Sequence, residues 1–141
     1  MLNAETAMPL PLDDALAQLD FLIGAWTVSG HLHGQPVSGT ARAERVMDGS
    51  WIEYREQLDG YEDRCLYGVD PETGDLLVHH FSGEAGYGFH SVLPLDGGGL
   101  YWVPQGFGSI VRLLPQQRGF RCQVVRYEAE AEDVLLVFTP A

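Results

Sequence analysis

Residues 12–33 read LDDALAQLDFLIGAWTVSGHLH, and the change of period inside this stretch decides the fold. Up to Gly24 the apolar residues Leu12, Leu16, Leu19 and Ile23 recur at three-to-four spacing. Asp13 is a good N-cap and Asp14 suits the positive end of a helix dipole, so one short amphipathic helix is predicted, ending at Gly24. From Ala25 the period becomes two and stays two, in runs rich in Val, Leu, Trp, Tyr and Phe.

Those runs predict about ten strands, at 25–33, 37–46, 50–58, 64–69, 76–81, 86–93, 99–104, 109–114, 119–127 and 133–139. Turn chemistry separates them: Gly34-Gln35-Pro36, Asp48-Gly49, Asp59-Gly60, Asp70-Pro71-Glu72-Thr73-Gly74 and Asp96-Gly97-Gly98-Gly99. Short links join antiparallel neighbours, and no second helix stands between strands to make a parallel crossover. The expected fold is all-β, an antiparallel up-and-down barrel of about ten strands with one short N-terminal α-helix. Closure removes the exposed edges of a long meander, and the seventeen glycines supply bends for curved strands.

A chain of 141 residues has room for one domain. Residues 1–11 carry two prolines and no periodicity and are expected to form a flexible arm, leaving 12–141 as a single barrel domain. Twenty Asp and Glu stand against eight cationic side chains, all arginine, for a net charge of -12. Such a surface repels nucleic acid and anionic membranes, so neither is expected as a partner. The first positive side chain is Arg42 and no apolar run approaches the roughly 20 residues of a membrane span, which points to a cytoplasmic protein. Cys65 and Cys122 match no metal-binding spacing and read as small buried hydrophobes.

Leu19 to Trp26, continuing through Thr27-Val28-Ser29 to Gly30, resembles the start of a lipocalin-like, or calycin, barrel, where a short helix ends at Gly-x-Trp and the first strand begins. The closest resemblance is to the DUF1579-type bacterial families, in which a tyrosine-glycine-x-aspartate turn follows. Leu66-Tyr67-Gly68-Val69-Asp70 resembles that turn, after a strand like Ser50-Trp51-Ile52-Glu53-Tyr54. The chain is more distantly similar to nitrobindin-like haem-binding barrels. Their Gly-x-Trp-x-Gly-x-Gly pattern is broken here by Val28, and their late haem-ligating histidine has no counterpart after His90. No cofactor is expected. Were haem bound, the iron would need another ligand, with His79, His80 or Tyr127 as candidates.

Such a barrel encloses a space that holds one small ligand. Trp26, Tyr54, Tyr67, Phe81, Tyr87, Phe89 and Trp102 are expected to line it, with His79 as the polar handle. In the hairpin around Gly83 to Gly86, a tight register sets His79 beside Phe89 and Val78 beside His90. One face then carries Leu77, His79, Phe81, Tyr87, Phe89 and Leu93, and its aromatic content assigns it to the cavity. A one-residue bulge would instead turn His80 and His90 inward.

The expected function is binding of a largely apolar or amphipathic small molecule, with a carbonyl or carboxylate end. The alternative is a cofactor-free cyclase, isomerase or dehydratase using His79 with Tyr67, or the pair His80 and His90, as acid and base. A structural barrel with a filled core is the third reading. Arg126 is expected to stack on the Trp26 indole and close the barrel floor, a structural role. A homodimer is compatible with each reading. No metal site is expected.

Overall fold

The computed structural model describes residues 15–83, 86–104, 109–126 and 132–141. The N-terminal arm, Leu12, the Asp13 cap, Asp14, Gly106-Phe107-Gly108 and Tyr127 lie outside the described residues.

The expected helix is present over Ala17–Leu22, wound as a 3-10 helix. At three residues per turn, side chains three apart eclipse, and Leu16, Leu19 and Leu22 form one fully buried line. An α-helix would have turned Ile23 onto that stripe. The tighter winding selects Leu22 instead and leaves Ile23 on the surface. The Trp26 indole N–H donates to the Leu22 carbonyl at 2.8 Å, satisfying a helix-end acceptor and locking helix to barrel.

Ten strands follow: β1 Gly24–Leu32, β2 Gln35–Val46, β3 Trp51–Leu58, β4 Tyr61–Val69, β5 Leu76–Ser82, β6 Gly86–Pro94, β7 Leu100–Trp102, β8 Ser109–Gln116, β9 Gly119–Arg126 and β10 Glu132–Pro140. Each pairs antiparallel with the next, and β10 returns to β1 with Trp26 opposite Pro140 and Leu32 opposite Val134, closing the barrel. No helix among the described residues is long and apolar enough to cross a membrane.

Two strands differ most from expectation. β7 is only three residues long, and β4 starts at Tyr61, three residues before the predicted 64. Leu58 pairs with Tyr61 around the two-residue turn Asp59-Gly60, so the hairpin has no slack and residues 61–63 join the ladder. This shift puts Asp63 on the inner wall, directly across from Glu56.

Alternation sorts the wall. Val28, Ile52, Tyr54, Tyr67, Val78, Val92, Trp102, Leu113 and Leu136 are buried inside, with Phe120 and Phe138 at the helix end. That end is a ring cluster: Phe120 stacks on Phe138 at 4.1 Å and meets Trp26 edge-on at 5.3 Å and Phe21 at 5.8 Å. Phe120 takes the place expected of Arg126. Arg126 ends β9 at the opposite rim, 64% exposed, with its guanidinium 3.6 Å from Asp133. Arg126 and Trp26 lie at opposite ends of the barrel because β9 runs from the floor, at Phe120, up to the mouth.

Candidate functional site

The β5–β6 register is the expected one, with His79 opposite Phe89 and Val78 opposite His90. The faces are reversed, and no bulge between these strands is needed to reverse them. Leu76, Val78, His80, His90 and Val92 belong to the inner wall, whereas Phe81, Tyr87, Phe89 and Leu93 are exposed on the outer one. The aromatic side chains stay outside because they bury one another there. His79 lies 5.8 Å from the Trp51 ring and 5.1 Å from Phe89, and its Nδ1 is 2.8 Å from the Tyr87 hydroxyl. Gly68 makes room for this layer, since a Cβ there would sit 2.5 Å from the Trp51 ring. His79, Phe81, Tyr87 and Phe89 therefore do not line the cavity, and Trp26 belongs to the floor.

Of the expected lining, Tyr54, Tyr67 and Trp102 remain inside. They border a cavity of about 430 Å³ that reaches from Leu22 and Phe120 at the floor to Leu32 and His33 at the mouth. Pockets for small molecules run from roughly 300 to 1,000 Å³. A more open pocket of equal volume is bordered by Arg42, Arg55 and Arg64, reaches Glu56 and Asp63 as well, and is lined mainly by charged and polar side chains.

The polar part of the cavity joins the alternative pair His80 and His90 to groups outside the expected lining. Glu56, Asp63 and Tyr61 enter it from β3 and β4, and His80 from β5. Glu56 is only 6% exposed, and the Tyr54 hydroxyl donates to its Oε1. Asp63 Oδ1 lies 3.0 Å from His80 Nε2, without an aligned hydrogen bond. His90 donates from Nδ1 to the Val103 carbonyl at 2.9 Å, since a carbonyl can only accept. Both imidazoles lie against the Trp102 indole, at 5.2 Å for His80 and 5.3 Å for His90. Trp102 Nε1 lies toward the Tyr67 hydroxyl, and this buried donor has no partner of hydrogen-bond geometry among the described residues.

Burial raises the Glu56 carboxyl to about 7; the Tyr54 hydrogen bond opposes the rise, the Asp63 charge adds to it, and His80 opposes it. The groups facing Glu56 are Tyr54 on its own strand, Tyr61, Asp63, Cys65 and Tyr67 on β4, His80 on β5 and Cys122 on β9. Burial also pushes the Tyr54, Tyr61 and Tyr67 hydroxyls and both thiols up, leaving them protonated at neutral pH. Cys65 and Cys122 are both free; Cys65 is buried as expected, whereas Cys122 is half-buried. Among the described residues no group of three or more His, Cys, Asp and Glu side chains could hold a metal ion. Of the three candidate haem ligands, His79 faces outward, His80 is engaged with Asp63, and Tyr127 is outside the described residues.

A signal for Glu56 and Asp63 was present in the sequence. Ile52, Tyr54, Glu56 and Leu58 alternate in phase, as do Tyr61, Asp63, Cys65 and Tyr67, so any reading that turns Tyr54 and Tyr67 inward turns the two carboxyls inward with them. No protein-family model matches the chain, and neither does any curated protein.

Proposed function

We propose that the barrel binds a small amphipathic molecule, its apolar body among Tyr67, Trp102, Val111, Leu113 and Val124 and its polar end at Glu56, Asp63 and His80. One observation carries this reading: a cavity of about 430 Å³ whose largely apolar wall bears the buried Glu56 carboxyl beside the half-buried Asp63 and His80. A barrel evolved only for stability would fill that space with side chains and keep carboxyls out of it. The start of the chain, with its short helix and Gly-x-Trp, supports kinship with the DUF1579-type calycin barrels. The acidic composition supports work without nucleic acid or anionic membrane partners, and the sequence expectation of a cytoplasmic protein fits that reading.

Glu56, titrating near neutrality beside the Asp63–His80 pair, favours a second reading as a cofactor-free acid–base enzyme of the cyclase, isomerase or dehydratase type. Glu56 and His80 then take the roles first given to His79 and Tyr67.

The test uses N-phenyl-1-naphthylamine, a neutral dye that fluoresces in apolar surroundings. The expected result is saturable one-to-one binding to the native protein. Cys122→Phe, which places a ring in the cavity, weakens it at least about tenfold. Equal binding by a folded Cys122→Phe variant would place the dye elsewhere and remove the reading.

A further inference from the structure

The sign of the charge in the cavity narrows the ligand class. Glu56 and Asp63 face each other across β3 and β4, and no arginine lines the cavity among the described residues, although all eight cationic side chains of the protein are arginines. A bound carboxylate would meet two like groups in a medium of low dielectric, with only imidazoles to offset them. A net charge of -12 adds to that potential at the mouth and attracts cations into it.

A second observation is independent of the carboxyls. Trp102 is 6% exposed and its Nε1 donor has no hydrogen-bond partner among the described residues. An unpaired buried donor is costly, so natural proteins rarely leave one without a reason. The Trp102 ring lies 5.2 Å from the His80 imidazole, which in turn sits 3.0 Å from Asp63 Oδ1. The cavity wall thus offers one indole donor without a partner, beside two carboxyls that attract positive charge. A ligand that meets all three carries an oxygen acceptor and a cationic N–H donor.

We infer that the cavity takes a hydrophobic amine bearing a nearby hydroxyl or carbonyl oxygen, its ammonium held between Glu56 and Asp63 and its oxygen accepting from the Trp102 indole. This rests on the cavity-binding reading and adds the ligand class to it. The Trp102 ring contributes a second attraction, because its face draws a cation lying over it. The class differs from the carbonyl or carboxylate end expected from sequence with His79 as the polar handle.

Three compounds of one skeleton separate the possibilities by displacement of N-phenyl-1-naphthylamine at pH 8: phenylalaninol, 3-phenylpropan-1-ol and 3-phenylpropionate. Phenylalaninol is expected to bind at least about tenfold tighter than the alcohol, through charge-assisted hydrogen bonds, and the carboxylate to bind most weakly. In the Glu56→Gln/Asp63→Asn double variant the advantage of the amine over the alcohol disappears. If that variant does not keep native circular dichroism, Asp63→Asn alone decides, with the advantage reduced at least about threefold. Dye binding with no preference for the amine, with the carboxylate tightest, or with the preference intact in the variants overturns the amine inference and leaves cavity binding standing. No saturable dye binding removes the cavity reading, and the amine inference falls with it.

Discussion

Glu56 sets how the stability of this barrel responds to pH. Its carboxyl titrates at about 7 in the folded chain against 4.5 as a free group, so between those values the folded state holds a proton that the unfolded state has released. Stability then falls as pH rises from about 4.5 to 7 and is level above, a loss of roughly 3 kcal/mol, opposite in sign to the usual salt-bridged carboxylate. Glu56→Gln keeps an acceptor for the Tyr54 hydroxyl and removes the titration. The variant is expected to be more stable than wild type by about 1–2 kcal/mol at pH 8, with little difference at pH 4.5, by urea denaturation at each pH. Equal slopes for the two proteins would mean that Glu56 is ionised in the folded state. A residue that lowers stability where it is charged is typical of a functional position. Sequence alternation already paired Glu56 with Tyr54. Its burial was not legible there, because a strand face becomes an interior only when the far wall closes over it.

At the scale of the strand, two glycines bring neighbouring backbones together near the β1–β2 hairpin. A Cβ on Gly30, where φ is +154°, would sit 1.9 Å from the Leu135 carbonyl oxygen of β10. One on Gly39 would sit 1.9 Å from the Gln57 carbonyl oxygen of β3. Gly30→Ala and Gly39→Ala are each expected to cost more than about 2 kcal/mol in urea denaturation, since backbone must move to admit the methyl. Gly34 has φ +81° and nothing within 4 Å, so Gly34→Asn, a residue that tolerates the left-handed region, is expected to cost less than about 1 kcal/mol. Comparable losses at all three positions would assign the effect to glycine in general rather than to close approach. Strand number, order and the β5–β6 register were legible from alternation and turn residues, since both are local. The 3-10 winding of the helix was not, because Leu22 and Ile23 are equally apolar and only the packed floor chooses between them.

Closure of the whole barrel depends on its floor, where β1, β9, β10 and the 3-10 helix meet around Phe120. Phe120→Ala is expected to cost about 3–5 kcal/mol, whereas Arg126→Ala, exposed at the far rim, is expected to change stability by less than about 1 kcal/mol. Thermal melts of the two variants check this, and the reverse order would return Arg126 to the floor. A β-meander, one helix, a strongly negative surface and the alternation within each strand follow from residue order alone, because period, turn chemistry and charge are properties of neighbours along the chain. Which phase faces inward was decided only when β10 met β1. Judged by its composition, the aromatic face of β5 and β6 looked like an interior, yet Trp51, His79, Tyr87 and Phe89 shield one another outside while the smaller Val78 and Val92 fill the wall. Enclosure is a long-range property: the carboxyls of Glu56 and Asp63 lose their water, and acquire their chemistry, through walls contributed by strands as distant in sequence as β9.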